Sequence, residues 1–137
     1  MIISGIVESI DAAELATRAS SNDCGGLVSF EGHTRSPSDG TVVEHLEYEA
    51  WVEPANKRLA ALAEDARDRW SLGSVVAVHR VGIVNVGEIS ILVVCAAVHR
   101  SEAFEACQWL VDAIKEQVPV WKKEVSSDTA RWIGLPF

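Results

Sequence analysis

The chain lacks any run of about 18 apolar residues, which a membrane-spanning helix would need. Its first stretch, "MIISGIVESI", has neither the basic start nor the length of a secretory signal peptide. Cysteines are few, at Cys24, Cys95 and Cys107, and none of them has C-x-x-C spacing. This argues against a disulfide framework and a zinc cage. We therefore expect a cytoplasmic protein with reduced thiols and no membrane partner.

Basic residues are also scarce, with 12 Lys and Arg against 20 Asp and Glu, for a formal net charge of -8. Broad nucleic-acid binding neutralises many phosphates, so we expect no nucleic-acid partner. An anionic ligand would have to meet a local basic cluster. A length of 137 residues with 48% hydrophobic and 23% charged residues is typical of one globular unit. We predict a single domain that spans residues 1–137.

Several signatures of catalysis and metal binding are missing. The sequence has no G-x-S-x-G elbow, no G-x-G-x-x-G and no P-loop, and its histidines show no H-x-x-x-H spacing. We therefore assign no serine or cysteine nucleophile and no metal site. The missing phosphate loop also disfavours a small phosphotransferase.

The hydrophobic pattern predicts an α+β protein. The expected order is strand, helix, strand, strand, helix, strand, strand, helix, with a largely antiparallel sheet. "SVVAVHRVG" and "ISILVVCAAV" flank a turn at residues 86–88 and are expected to pair as a hairpin. Ser101 is expected to cap the last helix, and Pro119 to end it.

Five basic groups occupy positions where local geometry would hold them: Arg35, His99, Arg100, Lys115 and Lys122. Arg35 lies in the loop "HTRSPSDG", and loops often carry function, although a solvated arginine fits equally well. His99 and Arg100 come just before a helix N-terminus, where free N–H groups favour an anion such as phosphate. The alternative is that Arg100 pairs with Glu102.

Lys115 borders the apolar stripe of the last helix. Partial desolvation there would favour the neutral amine, which can act as a base or a nucleophile. A lysine at such a border can instead extend its ammonium group into solvent.

The segment "VPVWKKE" follows that helix directly. Pro119 is expected to turn the chain back, so that Lys122 returns toward the end of the helix. In an extended segment Lys123 should point to the opposite face, while Glu124 can pair with Lys122 or orient it.

A series of motifs runs through nearly the whole chain: "GGLVSFEGHTR" with Gly40, "LEYEAW", "VVAVHRVGIVNVGE", "AAVHRSEAFEAC", "IKEQVPVWKKE" and Trp132 near the end. In this order and spacing, the sequence resembles the catalytic (large) subunit family of molybdopterin synthase. The resemblance implies an α/β hammerhead fold with an additional antiparallel β subdomain.

The resemblance also implies an activity and its partners. Members of the family convert cyclic pyranopterin monophosphate (precursor Z) to molybdopterin, in molybdenum cofactor biosynthesis. The two sulfurs come from the thiocarboxylated C-terminus of a small ubiquitin-like subunit, so the large subunit needs no cofactor of its own. The large subunit forms a homodimer, and a heterotetramer with the small subunit.

Position by position, the resemblance implies a set of site residues. The catalytic pair is Lys115 and Lys122, and the substrate-binding residues are His33, Thr34, Arg35, His99, Arg100, Lys123 and Glu124. It stays open which lysine transfers the proton, and whether His99 and Arg100 serve their own protomer or its neighbour. The alternative is a non-catalytic module that binds a ubiquitin-like partner or a phosphate ligand.

Overall fold

The computed structural model describes residues 1–36, 43–126 and 130–133. Gly40 of the motif series lies outside the described residues. Within these ranges the chain forms three helices and eight strands: β1 (Ile2–Val7), α1 (Ala12–Ala19), β2 (Gly26–His33), β3 (His45–Ala50), α2 (Val52–Trp70), β4 (Ser74–Arg80), β5 (Gly82–Asn85), β6 (Ile89–Ala97), α3 (Arg100–Gln117), β7 (Val120–Val125) and β8 (Ala130–Ile133). The predicted α+β class is confirmed.

The strands form two sheets of four. The first has the order β1-β4-β6-β2, in which β1 pairs with β4 in parallel and the other pairs are antiparallel. The second has the order β5-β3-β7-β8 and is antiparallel throughout. This second sheet corresponds to the additional antiparallel subdomain that the resemblance implied.

Helices cover both faces of the first sheet. On one face, α2 and α3 bury side chains such as Leu59 and Leu110 against Val75 and Val93. On the other face, α1 covers a smaller cluster that includes Leu92. Strands buried on both faces read as continuous apolar runs, which explains the sequence of β6. In the described part of the chain, no helix combines the length and apolarity that crossing a membrane requires.

The expected hairpin between residues 74 and 98 forms in part. β4 and β6 pair antiparallel, and Glu88 N donates to Asn85 O across the predicted turn. The stretch between them, however, separates as β5 and pairs with β3 in the second sheet. Gly82 and Gly87, both with φ of +91°, allow the chain to leave one sheet and return. The hydrophobic periodicity of the sequence alone cannot reveal that a stretch between two paired strands pairs with a strand of another sheet.

The region around α3 also differs from the sequence prediction. The helix begins at Arg100 with His99 as its N-cap, so the prediction of Ser101 as the cap was wrong. It ends at Gln117, before Pro119 as predicted, because proline cannot continue a helix. β7 follows almost at once, and Val120 N donates to Val118 O at 2.8 Å. The strands β7 and β8 were absent from the predicted order.

Candidate functional site

A cavity of about 500 Å³ lies where the two sheets meet beside the end of α3. The end of β2, the second-sheet strands β3 and β7, and the last turn of α3 contribute to its wall. The junction of the two sheets therefore brings together residues that lie far apart in the sequence. This cavity is the candidate active site.

Lys115 and Lys122 both line the cavity, the first from α3 and the second from β7. The rigid reversal at Pro119 joins these elements, which confirms that Lys122 returns toward the end of the helix. Neither lysine makes an ion pair or hydrogen bond with any described residue. Lys115 is exposed in the single chain, so the expected partial desolvation is not found there.

The residues at the end of β2 form another part of the wall, since His33, Thr34 and Arg35 all line the cavity. Thr34 is 3% exposed, and its Oγ1 has no hydrogen-bond partner in the described structure. Its backbone is fixed, because Thr34 N donates to Glu88 O at 3.0 Å and Gly87 N donates to Thr34 O at 2.7 Å. A buried hydroxyl without a partner is costly, so this atom is suited to meet a ligand.

Lys123 faces away from the cavity. Its Nζ lies 3.0 Å from Glu47 Oε2 and 5.2 Å from the centre of the Trp132 ring. The hydrogen bond from Lys123 is the main cause that lowers the pKa of Glu47, with a smaller contribution from His45. Glu124, on the same face of β7 as Lys122, does line the cavity. Of these two predicted contacts, the structure brings only Glu124 to the cavity of its own chain.

His99 and Arg100 lie at the opposite end of α3 from Lys115. At a rise of about 1.5 Å per residue, the helix separates Arg100 from Lys115 by about 22 Å. Both residues are exposed, and neither lines the cavity. Within one chain the cavity therefore gathers three of the five predicted basic groups.

The sequence analysis missed three polar residues of the cavity wall, Tyr48, His79 and Ser90. His79 is 9% exposed, and its Nδ1 lies 2.8 Å from Arg80 O. Burial lowers the pKa of His79 below its usual 6.5, and the charge of Lys115 lowers it further, while the hydrogen bond with the carbonyl opposes both. Burial raises the pKa of Tyr48, against a smaller opposing effect of Ser90. The available signal was a polar residue within the apolar run "SVVAVHR".

A second cavity, of about 430 Å³, adjoins Lys115 from the other side. Its wall includes Phe30, Phe104 and Val111. Lys115 is the residue that the two linings share, and its Nζ lies 6.0 Å from the centre of the Phe30 ring. The amine thus stands between a polar cavity and a more apolar one.

The electrostatics favour an anionic ligand. Arg35, Lys115 and Lys122 converge on the first cavity without ion pairs to described residues, although the chain carries a net charge of -8. Clustered unpaired cations in a concave site attract anions and strengthen their binding. Among the described residues, no group of three His, Cys, Asp or Glu side chains could hold a metal ion. The arrangement is suited to anion binding and proton transfer by lysine.

The sequence model of the family described as "MoaE protein" matches residues 6–117. A Pyrococcus abyssi protein named "Molybdopterin synthase catalytic subunit" is 44% identical over 126 residues, 92% of this chain and 85% of the relative. The crystal structure of molybdopterin synthase from Staphylococcus aureus superimposes with a TM-score of 0.89 at 32% identity, over 94% of this chain and 95% of that chain. A complex of subunits 1 and 2 of the molybdopterin-converting factor from Helicobacter pylori shares the fold, with a TM-score of 0.79 at 19% identity over 94% and 88% of the two chains. The chain therefore belongs to the MoaE family of molybdopterin synthase catalytic subunits.

Proposed function

We propose that this chain converts cyclic pyranopterin monophosphate to molybdopterin, by transferring two sulfurs from the thiocarboxylated C-terminus of a small ubiquitin-like subunit. The observation that carries the proposal is the meeting of Lys115 and Lys122, without ion pairs to described residues, in one cavity of this fold. Sulfur arrives with the partner, so the proposal requires no cofactor and no sulfur-carrying cysteine in this chain. None of the three cysteines, Cys24, Cys95 and Cys107, lines the first cavity.

The phosphate of the substrate needs cationic groups around it. Arg35 supplies a planar fork that matches phosphate geometry. His99 and Arg100 are too distant from the cavity of their own chain, so in this proposal they reach the cavity of a second copy in a homodimer. The unpartnered Thr34 hydroxyl would add a hydrogen bond to the bound substrate.

The two lysines take different roles in the proposed reaction. The thiocarboxylate sulfur attacks the pterin side chain and forms a C–S bond while a C–O bond of the cyclic phosphate breaks, which leaves a thioester between the tail and the pterin. Water then cleaves the acyl–sulfur bond, so that the sulfur stays on the pterin and the tail leaves as a carboxylate. Lys115 acts as general acid toward the leaving oxygen and as general base toward the water. Its place between the two cavities lets the amine reach groups held in either one. Lys122 positions the carboxylate end of the tail, and Glu124 lines the same cavity from the same face of the strand.

Family membership supports a small-subunit partner, and the Helicobacter pylori structure is, by its name, a complex of subunits 1 and 2 of the molybdopterin-converting factor. We extend this to a heterotetramer of two large and two small subunits. The C-terminal tail of the small subunit would enter the first cavity, where the unpaired cations lie. The cytoplasm is the compartment that we propose, on the sequence alone.

The decisive experiment combines the purified chain, the thiocarboxylated small subunit and cyclic pyranopterin monophosphate, and measures dithiolene product. Wild type should form product and Lys115→Ala should not. Lys57→Ala is a matched control, because Lys57 is an exposed helical lysine paired with Glu53 outside the cavity. A stable complex with the small subunit but no product from wild type would favour the non-catalytic binding module.

A further inference from the structure

The wall of the first cavity contains a histidine whose two ring nitrogens have different surroundings. His79 Nδ1 lies 2.8 Å from Arg80 O, and a carbonyl oxygen can only accept. The contact therefore assigns the proton of the neutral ring to Nδ1 and leaves Nε2 as an acceptor. Nε2 has no hydrogen-bond partner among the described residues.

The surroundings keep this ring neutral and fixed. Burial and the charge of Lys115 both lower the pKa of His79. The Tyr48 ring packs edge-on against it, with centroids 5.1 Å apart at 63°. The cavity also contains Lys122, so two ammonium groups lie in the same space as this neutral acceptor.

We propose that His79 is a positioning residue for Lys115: its Nε2 accepts a hydrogen bond from the Lys115 amine and holds that amine in the first cavity. This inference rests on the proposed function. In the free chain Lys115 Nζ lies near the Phe30 ring, beside the second cavity. A long, flexible side chain with this freedom needs an acceptor to fix its amine against a bound substrate.

The chemistry of the acceptor matters. A carboxylate would hold Lys115 as a stable ion pair, favour its charged form and compete with an anionic ligand. A neutral imidazole orients the amine without adding negative charge. Lys115 then remains free both to attract the anionic ligand and to release a proton.

A purely structural role for His79 would depend on Nδ1 instead of Nε2. The Nδ1 hydrogen bond ties the ring to the backbone at Arg80, whose side chain in turn donates to Glu8 O at 3.1 Å and Ile83 O at 3.0 Å. Since the two roles use different nitrogens, two substitutions can separate them.

The first experiment compares His79→Asn with His79→Gln in the complete synthase. Asparagine places its amide near the Nδ1 position and keeps the donor to Arg80 O, whereas glutamine places an acceptor near the Nε2 position. We expect His79→Asn to retain the thermal midpoint but to lose kcat about 10- to 100-fold. His79→Gln should keep most of kcat at a lower thermal midpoint. Wild-type kcat in His79→Asn, or equal loss in both variants with both folded, would overturn the proposal.

A second measurement does not require a His79 variant to fold. In the complex with the unmodified small subunit, the ¹⁵N resonance of His79 Nε2 should shift between wild type and Lys115→Ala, and stay unchanged in Lys57→Ala. An unchanged resonance in both variants would also overturn the proposal. A wild-type synthase without product, but with this shift, would refute the proposed function and leave the contact between His79 and Lys115 standing.

Discussion

Lys122 and Lys123 are adjacent in β7, yet their side chains serve opposite faces of the second sheet. Lys122 lines the cavity, whereas Lys123 lies 3.0 Å from Glu47 Oε2. The cause is the alternation of side chains along a strand, which places neighbours on opposite sides. The pair therefore offers two similar substitutions, one inside the site and one outside it.

We expect Lys122→Ala to lower kcat/KM for dithiolene formation at least 10-fold, because it removes a cation that positions the tail. Lys123→Ala should change kcat/KM less than about 3-fold and should lower stability by less than about 1 kcal/mol, as is usual for a partly exposed ion pair. Steady-state assays and urea unfolding of both variants test this. Equal losses of activity would contradict the separation of the two faces.

Lys115→Arg separates charge from proton transfer. Arginine keeps the positive charge but does not release a proton near neutral pH. If Lys115 is the general acid and base, kcat should fall about 10²- to 10⁴-fold while the affinity for the substrate changes little. Kinetics together with equilibrium binding of the substrate would check this. A variant with unchanged kcat would assign Lys115 a purely electrostatic role.

The return of Lys122 to the end of α3 could be predicted, because its causes are local. Pro119 ends the helix, and strand alternation then decides which neighbouring lysine faces inward. The capping position was harder, since His99 occupies it without a side-chain hydrogen bond and Ser101 already lies inside the helix.

Features that depend on distant partners could not be predicted. β5 joins the second sheet because it pairs with β3, about 35 residues earlier in the chain, and no local pattern specifies that choice. The role proposed for His79 likewise depends on its neighbours Lys115 and Tyr48, which lie in α3 and β3 and are distant in the sequence. The distance of Arg100 from the cavity became visible once the length of α3 was known.

His79 should also make stability depend on pH in a defined window. Its folded-state pKa is lowered, so the ring is neutral in both states well above pH 6.5 and contributes no pH dependence there. Below that pH the unfolded chain binds a proton that the folded chain resists, so stability falls with decreasing pH. The slope is at most about 1.4 kcal/mol per pH unit.

Urea unfolding of wild type and His79→Asn between pH 8 and 5.5 measures this effect. The variant should lose less stability than wild type below pH 6.5, and His33→Asn, at an exposed position of the cavity rim, is the matched control. The titratable groups that line the same cavity as His79 are His33, Arg35, Tyr48, Lys115, Lys122 and Glu124, and all of them remain in both wild type and His79→Asn. Parallel curves for wild type and His79→Asn would contradict the lowered pKa.

A mixing experiment tests whether Arg100 serves the cavity of a second copy. Lys115→Ala and Arg100→Ala should each be poorly active alone, because each lacks one group from every site. In a mixed dimer, one cavity combines the intact Lys115 of one chain with the intact Arg100 of the other. Refolding the two variants together should therefore restore part of the activity. The mixture could stay as inactive as the separate variants although mass spectrometry detects mixed dimers. Arg100 then does not act across the dimer. Because α3 also separates Arg100 from Lys115 by about 22 Å, Arg100 would belong to neither cavity.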